Sequence, residues 1–156
     1  MTNSKRALVA VALMALGAPA YAAGDAAAGE KDFKKCKSCH TIANGDDVIF
    51  KGGKTGPNLY GIIGRTAGTA EDFRYSSDMI AAGEAGLVWT EENLALFVND
   101  PKAFLSDFLG TAAKPKMSFK LKDAVDVAAY LASVSPAPEE GAEGEAAEET
   151  TEENDS

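Results

Sequence analysis

The 156-residue chain is poor in side chains that bind metals, with two cysteines and one histidine. A structural zinc site usually takes four Cys or His ligands in a closed tetrahedron, so three candidates cannot complete one. Long apolar runs are also lacking, because the apolar stretch at 7–18 falls short of the roughly 20 residues that span a bilayer. The composition therefore argues against a zinc domain and against stable membrane insertion.

The two cysteines and the histidine all lie in one segment, Cys36-Lys37-Ser38-Cys39-His40. Cysteines three positions apart on a helical turn share a face, and each can form a thioether bond to a haem vinyl group. The adjacent histidine then offers its imidazole to the iron. We predict one covalently bound haem c, attached through Cys36 and Cys39, with His40 as an axial ligand.

Two other interpretations use the same cysteines. A thioredoxin-like pair expects strands around the motif, and no strand-like run precedes Cys36. A plain disulfide between residues this close would close a very small loop and stabilise the fold little. If the cysteines were unmodified, the chain would be a thiol–disulfide protein, and this alternative stays open at the level of sequence.

The amino-terminal segment has basic residues, then the apolar stretch at 7–18, then small residues at 20–23. This order is typical of a secretory signal peptide. We predict a signal peptide over 1–23, cleaved just after Ala22 or Ala23, and a periplasmic location. Export suits a haem protein, because an exposed C-x-x-C in an oxidising compartment would otherwise tend to form a disulfide.

The carboxyl-terminal segment 136–156 holds nine acidic residues, no basic residue and no large apolar residue. Such a segment cannot bury a core, and we expect it to be an acidic disordered tail. The formal charge of -9 is matched by this tail alone. The intervening part, 24–135, has 13 basic and 15 acidic residues and is nearly neutral.

The segment 24–135 is predicted to form one all-α domain. Asp25 is a good N-cap for a first helix, and Gly29 indicates a close crossing with another helix. Asp123 is expected to cap the last helix, with Tyr130 packing opposite Gly29. The residues expected to face inward from the first helix are Ala27, Gly29, Phe33 and Cys36. Those at helical spacing in the last are Ala124, Val127, Ala128, Leu131 and Val134.

Three shorter helices are predicted between these two, at 73–83, 91–99 and 101–109. Thr90 is the expected N-cap of the second, and Asp100-Pro101 ends it and starts the third. The glycine-rich segment 41–56 is expected to be an extended loop, and no convincing alternating run predicts a strand.

The second axial ligand must come from the two methionines that remain after processing. Met79 lies in an amphipathic helical segment and is expected to fill the core. Met117 lies in a polar loop, where its thioether can point at the iron, and it is our predicted sixth ligand. If Met117 were not bound, the chain could be a gas-binding or peroxidatic haem protein. Pro57 offers a carbonyl that could accept the second ring N–H of His40.

These features together resemble the class I cytochromes c, in particular the bacterial periplasmic branch of purple bacteria and Paracoccus-type organisms, photosynthetic and respiratory. The residues that carry the resemblance are Gly29, Phe33, Cys36 to His40, Thr55 to Gly61, Gly64-Arg65, Phe73, Tyr75, Trp89, Met117, Phe119 and Tyr130. The resemblance implies a fold of crossed terminal helices around one haem. It also implies His40 and Met117 as axial ligands and Pro57 as the hydrogen-bond acceptor. It places Arg65, Tyr75 and Trp89 near the haem propionates.

The chain departs from the family pattern in two segments. Lys114-Pro115-Lys116-Met117 replaces the commoner Pro-Gly-Thr-Lys-Met, and 106–113 looks like an insertion. The segment 44–51 is also longer than in the mitochondrial relatives. The loop before the methionine and the edge of the site near the histidine are therefore not predicted in detail.

With nitrogen and sulfur both bound, the iron has no open position for oxygen or peroxide, so we expect an electron carrier and not an enzyme. The predicted function is a soluble periplasmic carrier from a cytochrome bc complex to a reaction centre or cytochrome oxidase. We expect a monomer that docks transiently on these membrane complexes and binds no nucleic acid. Lysines near the haem edge would form its basic docking surface. They are Lys35, Lys37, Lys51, Lys54, Lys114, Lys116, Lys120 and Lys122.

Overall fold

A computed structural model describes residues 24–134 and residue 136. This part of the chain contains helices and one short hairpin: α1 Ala26–Phe33, β1 Ile42–Asn44, β2 Asp47–Phe50, α2 Ser77–Glu84, α3 Glu91–Asn99, α4 Pro101–Leu109 and α5 Val125–Ser133. No helix within it is long and apolar enough to cross a membrane. The predicted signal peptide and, apart from Pro136, the acidic tail lie outside the described residues.

The two terminal helices, α1 and α5, pack directly against each other at Gly29. A Cβ atom at Gly29 would collide with the backbone of Asp126 and lie 2.8 Å from the Cβ of Tyr130. The ring of Tyr130 also lies 5.6 Å from that of Phe33. The predicted crossing of the first and last helices is therefore confirmed, and glycine is the residue that permits it.

The beginning of α1 follows the local sequence signal. Asp25 is the N-cap, and its carboxylate accepts hydrogen bonds from the backbone N–H groups of Ala27 and Ala28 at 2.8 and 3.1 Å. The backbone N–H of Asp25 donates to the Asp126 carboxylate at 2.8 Å, and this hydrogen bond connects the start of α1 to α5. Ala27, however, is exposed, so its predicted inward position is wrong.

The predicted cap of α5 is also wrong. Asp123 has a φ of 58°, and Ala124 occupies the N-cap position without a side-chain hydrogen bond. An N-cap side chain needs extended backbone at its own residue, which the left-handed conformation of Asp123 does not provide. The apolar face of α5 is as predicted, since Val127, Ala128 and Leu131 are all buried.

Helices α3 and α4 begin and end where the sequence predicts. Thr90 and Asn93 form a reciprocal capping box at the start of α3. Asp100 ends α3 and caps α4 by accepting from the N–H of Ala103 at 3.2 Å, with Pro101 in the first turn. Gly110 ends α4 with a φ of 66°. Helix α2 begins later than predicted, at Ser77, after the cap Ser76.

The predicted loop at 41–56 contains a hairpin in which β1 and β2 pair antiparallel, with an irregularity between Ile42 and Ala43. Gly45 makes the turn with a φ of 58°. Val48 and Ile49 are exposed, so this hairpin adds little to the core. The helices supply most of the buried apolar residues, which agrees with the all-α prediction.

Candidate haem site

One cavity in the domain brings the predicted haem-binding side chains together. It has a volume of ≈ 340 Å³, and Cys36, Cys39, His40 and Met117 all line it. Much of the rest of its wall is apolar, including Phe33, Ile62, Leu94, Phe97 and Leu131. Two thiols, an imidazole and a thioether around an apolar cavity are the donor set that a covalent haem requires. These residues fit the cofactor.

The two cysteines lie on a helical turn that follows α1. The N–H of Cys36 donates to the Phe33 carbonyl at 2.8 Å, and the N–H groups of Cys39 and His40 donate to the Cys36 carbonyl at 3.1 and 3.0 Å. This turn carries both sulfurs and the imidazole to the same wall. Cys36 is half-buried and Cys39 is exposed.

The two thiols differ in their surroundings. Burial, assisted by the charge of Asp32, raises the pKa of the Cys36 thiol to about 11. A hydrogen bond from the Thr55 side chain, assisted by Ser38, lowers the pKa of Cys39. As free thiols, Cys39 would therefore have the larger thiolate fraction, and neither sulfur titrates once it is a thioether.

The imidazole of His40 is held by the backbone of Pro57. Nδ1 lies 2.8 Å from the Pro57 carbonyl oxygen. A carbonyl only accepts hydrogen bonds, so Nδ1 carries the proton and Nε2 presents its lone pair. Burial lowers the pKa of His40, against the opposing effect of the Pro57 hydrogen bond. Burial therefore favours the neutral imidazole, while the hydrogen bond to Pro57 orients it, and a neutral, oriented imidazole is the form that binds a metal.

The loop that carries Pro57 passes very close to the attachment turn. Its N–H groups at Gly53 and Gly56 donate to the carbonyls of Lys37 and Cys39, both at 2.8 Å. A Cβ atom at Gly56 would lie 2.7 Å from Nδ1 of His40, well inside contact distance. Glycine at this position leaves room for the imidazole.

Met117 is half-buried at the cavity, in a loop fixed by several contacts. The N–H of Lys114 donates to Asp78 of α2 at 2.6 Å. Ala113 is buried, and its N–H donates to the Ser106 hydroxyl at 3.0 Å. The apparent insertion at 106–113 therefore forms the end of α4 and the anchored start of this loop.

Met79 also lines the cavity, from α2. It is 7% exposed and belongs to the hydrophobic core, which confirms its predicted packing role. Its sulfur is nevertheless the alternative thioether at this site, since both methionines line the same cavity.

The three residues assigned to the propionates by resemblance occupy different positions. Trp89 is buried and Tyr75 half-buried, and both line the cavity. Arg65 is not among the lining residues; its guanidinium donates to the carbonyls of Asn58 at 3.0 Å and Tyr60 at 3.4 Å. Burial lowers the pKa of Arg65 and raises that of Tyr75, and each group counteracts the shift of the other. Their role at the propionates stays a prediction.

All eight predicted docking lysines are exposed. Lys35 and Lys116 line the cavity itself. The others lie within four positions of cavity-lining residues along the chain. Lys35 pairs with Asp32 at 2.8 Å, and Lys120 pairs with Asp100 at 2.6 Å. We call these eight residues the rim lysines.

Sequence reasoning missed two residues that shape the site. Gly56 leaves room for the His40 ring. Its position directly before Pro57 was the sequence feature that could have indicated this role. Asp78 anchors the methionine loop through Lys114, a contact across 36 positions that no local pattern signals.

The helical fold, the adjacent thiols and the oriented imidazole define a small protein that holds one covalent haem. The family model described as Cytochrome c matches residues 26–135, so the chain belongs to the cytochrome c family. The haem c is therefore established, which rules out the thiol–disulfide alternative.

Named relatives and solved structures agree with this assignment. The chain is 56% identical over 130 residues to cytochrome c-551 of Roseobacter denitrificans, covering 81% of this chain and 93% of that one. It is 57% identical over 127 residues to cytochrome c2 of Rhodobacter capsulatus, covering 80% and 92%. The structure of that cytochrome c2 superimposes with a TM-score of 0.69, covering 71% of this chain and 98% of the other.

Ferric cytochrome c-550 of Paracoccus versutus superimposes equally well, with a TM-score of 0.69, 49% identity and coverage of 72% and 99%. The fold is thus that of the class I cytochromes c, as predicted, and the chain is an electron-transport protein.

Proposed function

We propose that the chain carries single electrons through the periplasm, from a cytochrome bc complex to a terminal acceptor. The acceptor is a photosynthetic reaction centre or a cytochrome oxidase. The observation that supports this most directly is that His40, oriented by Pro57, and Met117, in an anchored loop, line the same apolar cavity. We infer that these two residues are the axial ligands.

The haem supplies the one-electron couple between ferric and ferrous iron, and the chain's own residues set the conditions for it. The Pro57 carbonyl fixes the imidazole plane and makes His40 a stronger donor. The Met117 thioether and the apolar wall favour the less charged ferrous state, so the potential is high among haem proteins. With His40 and Met117 both holding the iron, no position would remain for a substrate, so the protein would transfer electrons without converting one.

The rim lysines are the proposed docking surface. They are exposed and either line the cavity or lie within four positions of residues that line it, and lysine-rich surfaces accelerate encounter with acidic partners. The signal peptide predicted over 1–23 supports the periplasmic location. A mature chain lacking the first 22 or 23 residues, identified by mass spectrometry, would support both the cleavage and the export.

The test is the rate at which a purified cytochrome bc complex reduces the ferric holoprotein, followed by stopped-flow absorbance at increasing ionic strength. We expect the second-order rate constant to fall about tenfold or more between low and physiological ionic strength. Lys116→Gln should lower the low-salt rate, whereas Lys31→Gln, a change at an exposed lysine of α1 that does not line the cavity, should not. A rate independent of salt, or equal effects of both variants, would exclude the docking surface.

A further inference from the structure

The rim lysines differ in whether they already have a partner. Lys35 and Lys120 form ion pairs, and the Lys116 ammonium donates to the Arg74 carbonyl and lies 5.5 Å from the Phe73 ring centroid. The remaining five make no side-chain hydrogen bond or ion pair with any residue in 24–134 or 136: Lys37, Lys51, Lys54, Lys114 and Lys122. Five exposed lysines without such a partner thus lie within four positions of cavity-lining residues, in a domain that is nearly neutral as a whole.

The chain contains one segment of complementary charge. Residues 139–155 hold nine carboxylates and no basic side chain. No other stretch of the sequence has a comparable excess of one sign. Opposite charges within one molecule interact at a high effective concentration, because they are covalently linked.

The point at which this segment leaves the domain lies near the cavity. Pro136 packs beside Gly61, where an added Cβ would lie 3.6 Å from the proline ring. Gly61 is two positions from Leu59, which lines the cavity. Pro136, three residues before the first of these carboxylates, therefore lies beside the loop that contains Pro57, the hydrogen-bond partner of His40.

The length of the segment suffices to reach the rim lysines. An extended chain spans at most about 3.3–3.6 Å per residue, so the twelve positions from Pro136 to Glu148 reach up to about 40 Å. A domain of about 110 residues has a radius of gyration near 13 Å. Every rim lysine is therefore within covalent reach of several carboxylates.

We propose that the acidic segment 139–155 binds the unpaired rim lysines of its own molecule and competes there with acidic redox partners. Each surface ion pair contributes little, so binding depends on several pairs acting together and is weakened by salt. The competition rests on the proposed docking surface, whereas the binding of the segment to the lysines does not.

The binding is tested by carbodiimide cross-linking of dilute, full-length holoprotein at low ionic strength, with mass-spectrometric mapping of each carboxylate–lysine link. We expect intramolecular links from 139–155 to the five unpaired rim lysines, with Lys31 of α1, which does not line the cavity, at background. The links should disappear at high salt. Links that are absent, equally frequent at Lys31, or formed mainly between molecules would overturn the proposal.

The competition is tested with a chain that ends at Pro138. Its reduction by the cytochrome bc complex should be at least about twofold faster than that of the full chain at low salt, and the difference should vanish at high salt. An unchanged rate would overturn the competition. The cross-linking needs no partner, so its result stands even if the salt dependence expected of the docking surface is not found.

Discussion

Gly56 is the residue at which the smallest change is expected to have the largest effect on the haem site. An added methyl group there would overlap the His40 ring. We predict that Gly56→Ala displaces the imidazole, breaks its hydrogen bond to Pro57 and lowers stability by about 1–3 kcal/mol. The haem absorption spectrum and denaturant unfolding of the holoprotein measure the two effects.

Gly86→Ala is the control for this change. Gly86 has open space around its Cβ position but a φ of 92°, which costs a side chain about 1–2 kcal/mol. This variant should lose stability while its haem spectrum stays that of the unchanged protein. If Gly56→Ala also kept that spectrum, the proposed clearance for His40 would be wrong.

Arg65 stabilises the turn after Pro57 through geometry as well as charge. Its guanidinium reaches two carbonyls, those of Asn58 and Tyr60. We predict that Arg65→Met lowers the free energy of unfolding by about 1–3 kcal/mol, because hydrogen bonds from a charged donor are lost. Arg65→Lys should recover little of this, since a compact ammonium cannot imitate the planar fork. Full recovery by lysine would show that charge alone matters.

At the scale of the secondary-structure element, the crossing of α1 and α5 depends on a single missing side chain. We predict that Gly29→Ala destabilises the protein by about 1–3 kcal/mol, although alanine alone favours a helix by about 1 kcal/mol. The cause is the collision with the backbone of Asp126. Thermal or denaturant unfolding measures the change.

Ala27, on the exposed side of the same helix, is the control position for the change at Gly29. Ala27→Gly should cost only the helix propensity of about 1 kcal/mol. A Gly29→Ala variant as stable as the unchanged protein would mean that the two helices separate easily.

The junction of α3 and α4 predicts a dependence of stability on pH. A hydrogen bond from the Lys120 ammonium, assisted by the Ala103 N–H, lowers the pKa of Asp100. Ionised Asp100 therefore stabilises the folded protein fully above the ordinary aspartate pKa of about 3.9. This stabilisation is lost as the pH falls through the lower pKa that Asp100 has in the folded protein. Asp100→Asn keeps an oxygen for the cap but should flatten this acid dependence.

Lys120→Met removes the largest cause of that shift and should flatten the same part of the curve. Unfolding free energies measured between about pH 5 and pH 3 test both variants. An unchanged slope in Asp100→Asn would contradict the assignment. Because the pair lies at the surface, added salt should reduce the effect in the unchanged protein.

Elements were predictable where a local chemical signal defines them. Asp25, Thr90 and Pro101 mark helix starts through short-range hydrogen bonding or fixed backbone geometry, and each was correct. Asp123 gave the same kind of signal and was wrong, since its backbone adopts a left-handed conformation that serves the preceding loop. The hairpin was missed because both strands are short and β2 is largely exposed, without alternation.

At the scale of the whole molecule, the cavity exists only when distant segments meet. Its wall runs from Phe33 at the end of α1 to Leu131 in α5. The attachment motif was evident from sequence because it lies within five consecutive residues. The course of the methionine loop was not, because it depends on contacts such as Lys114 with Asp78 and Leu121 with Val98.

Also at the scale of the whole molecule, the net charge of the domain differs from the net charge of the full chain. Most of the excess negative charge lies in the acidic segment, while the surface around the cavity is rich in lysine. The isoelectric point of about 4.6 therefore describes the terminal segment more than the surface that meets a partner.

The central claim is that His40 and Met117 are the axial ligands of the haem, and absorption spectroscopy of the oxidised protein tests it most directly. Ferric iron bound to a thioether sulfur gives a weak far-red band. We predict that the band is present in the unchanged protein and in Met79→Leu, and that it is absent in Met117→Leu. Loss of the band in Met79→Leu with retention in Met117→Leu, or its absence from the unchanged protein, would contradict the account.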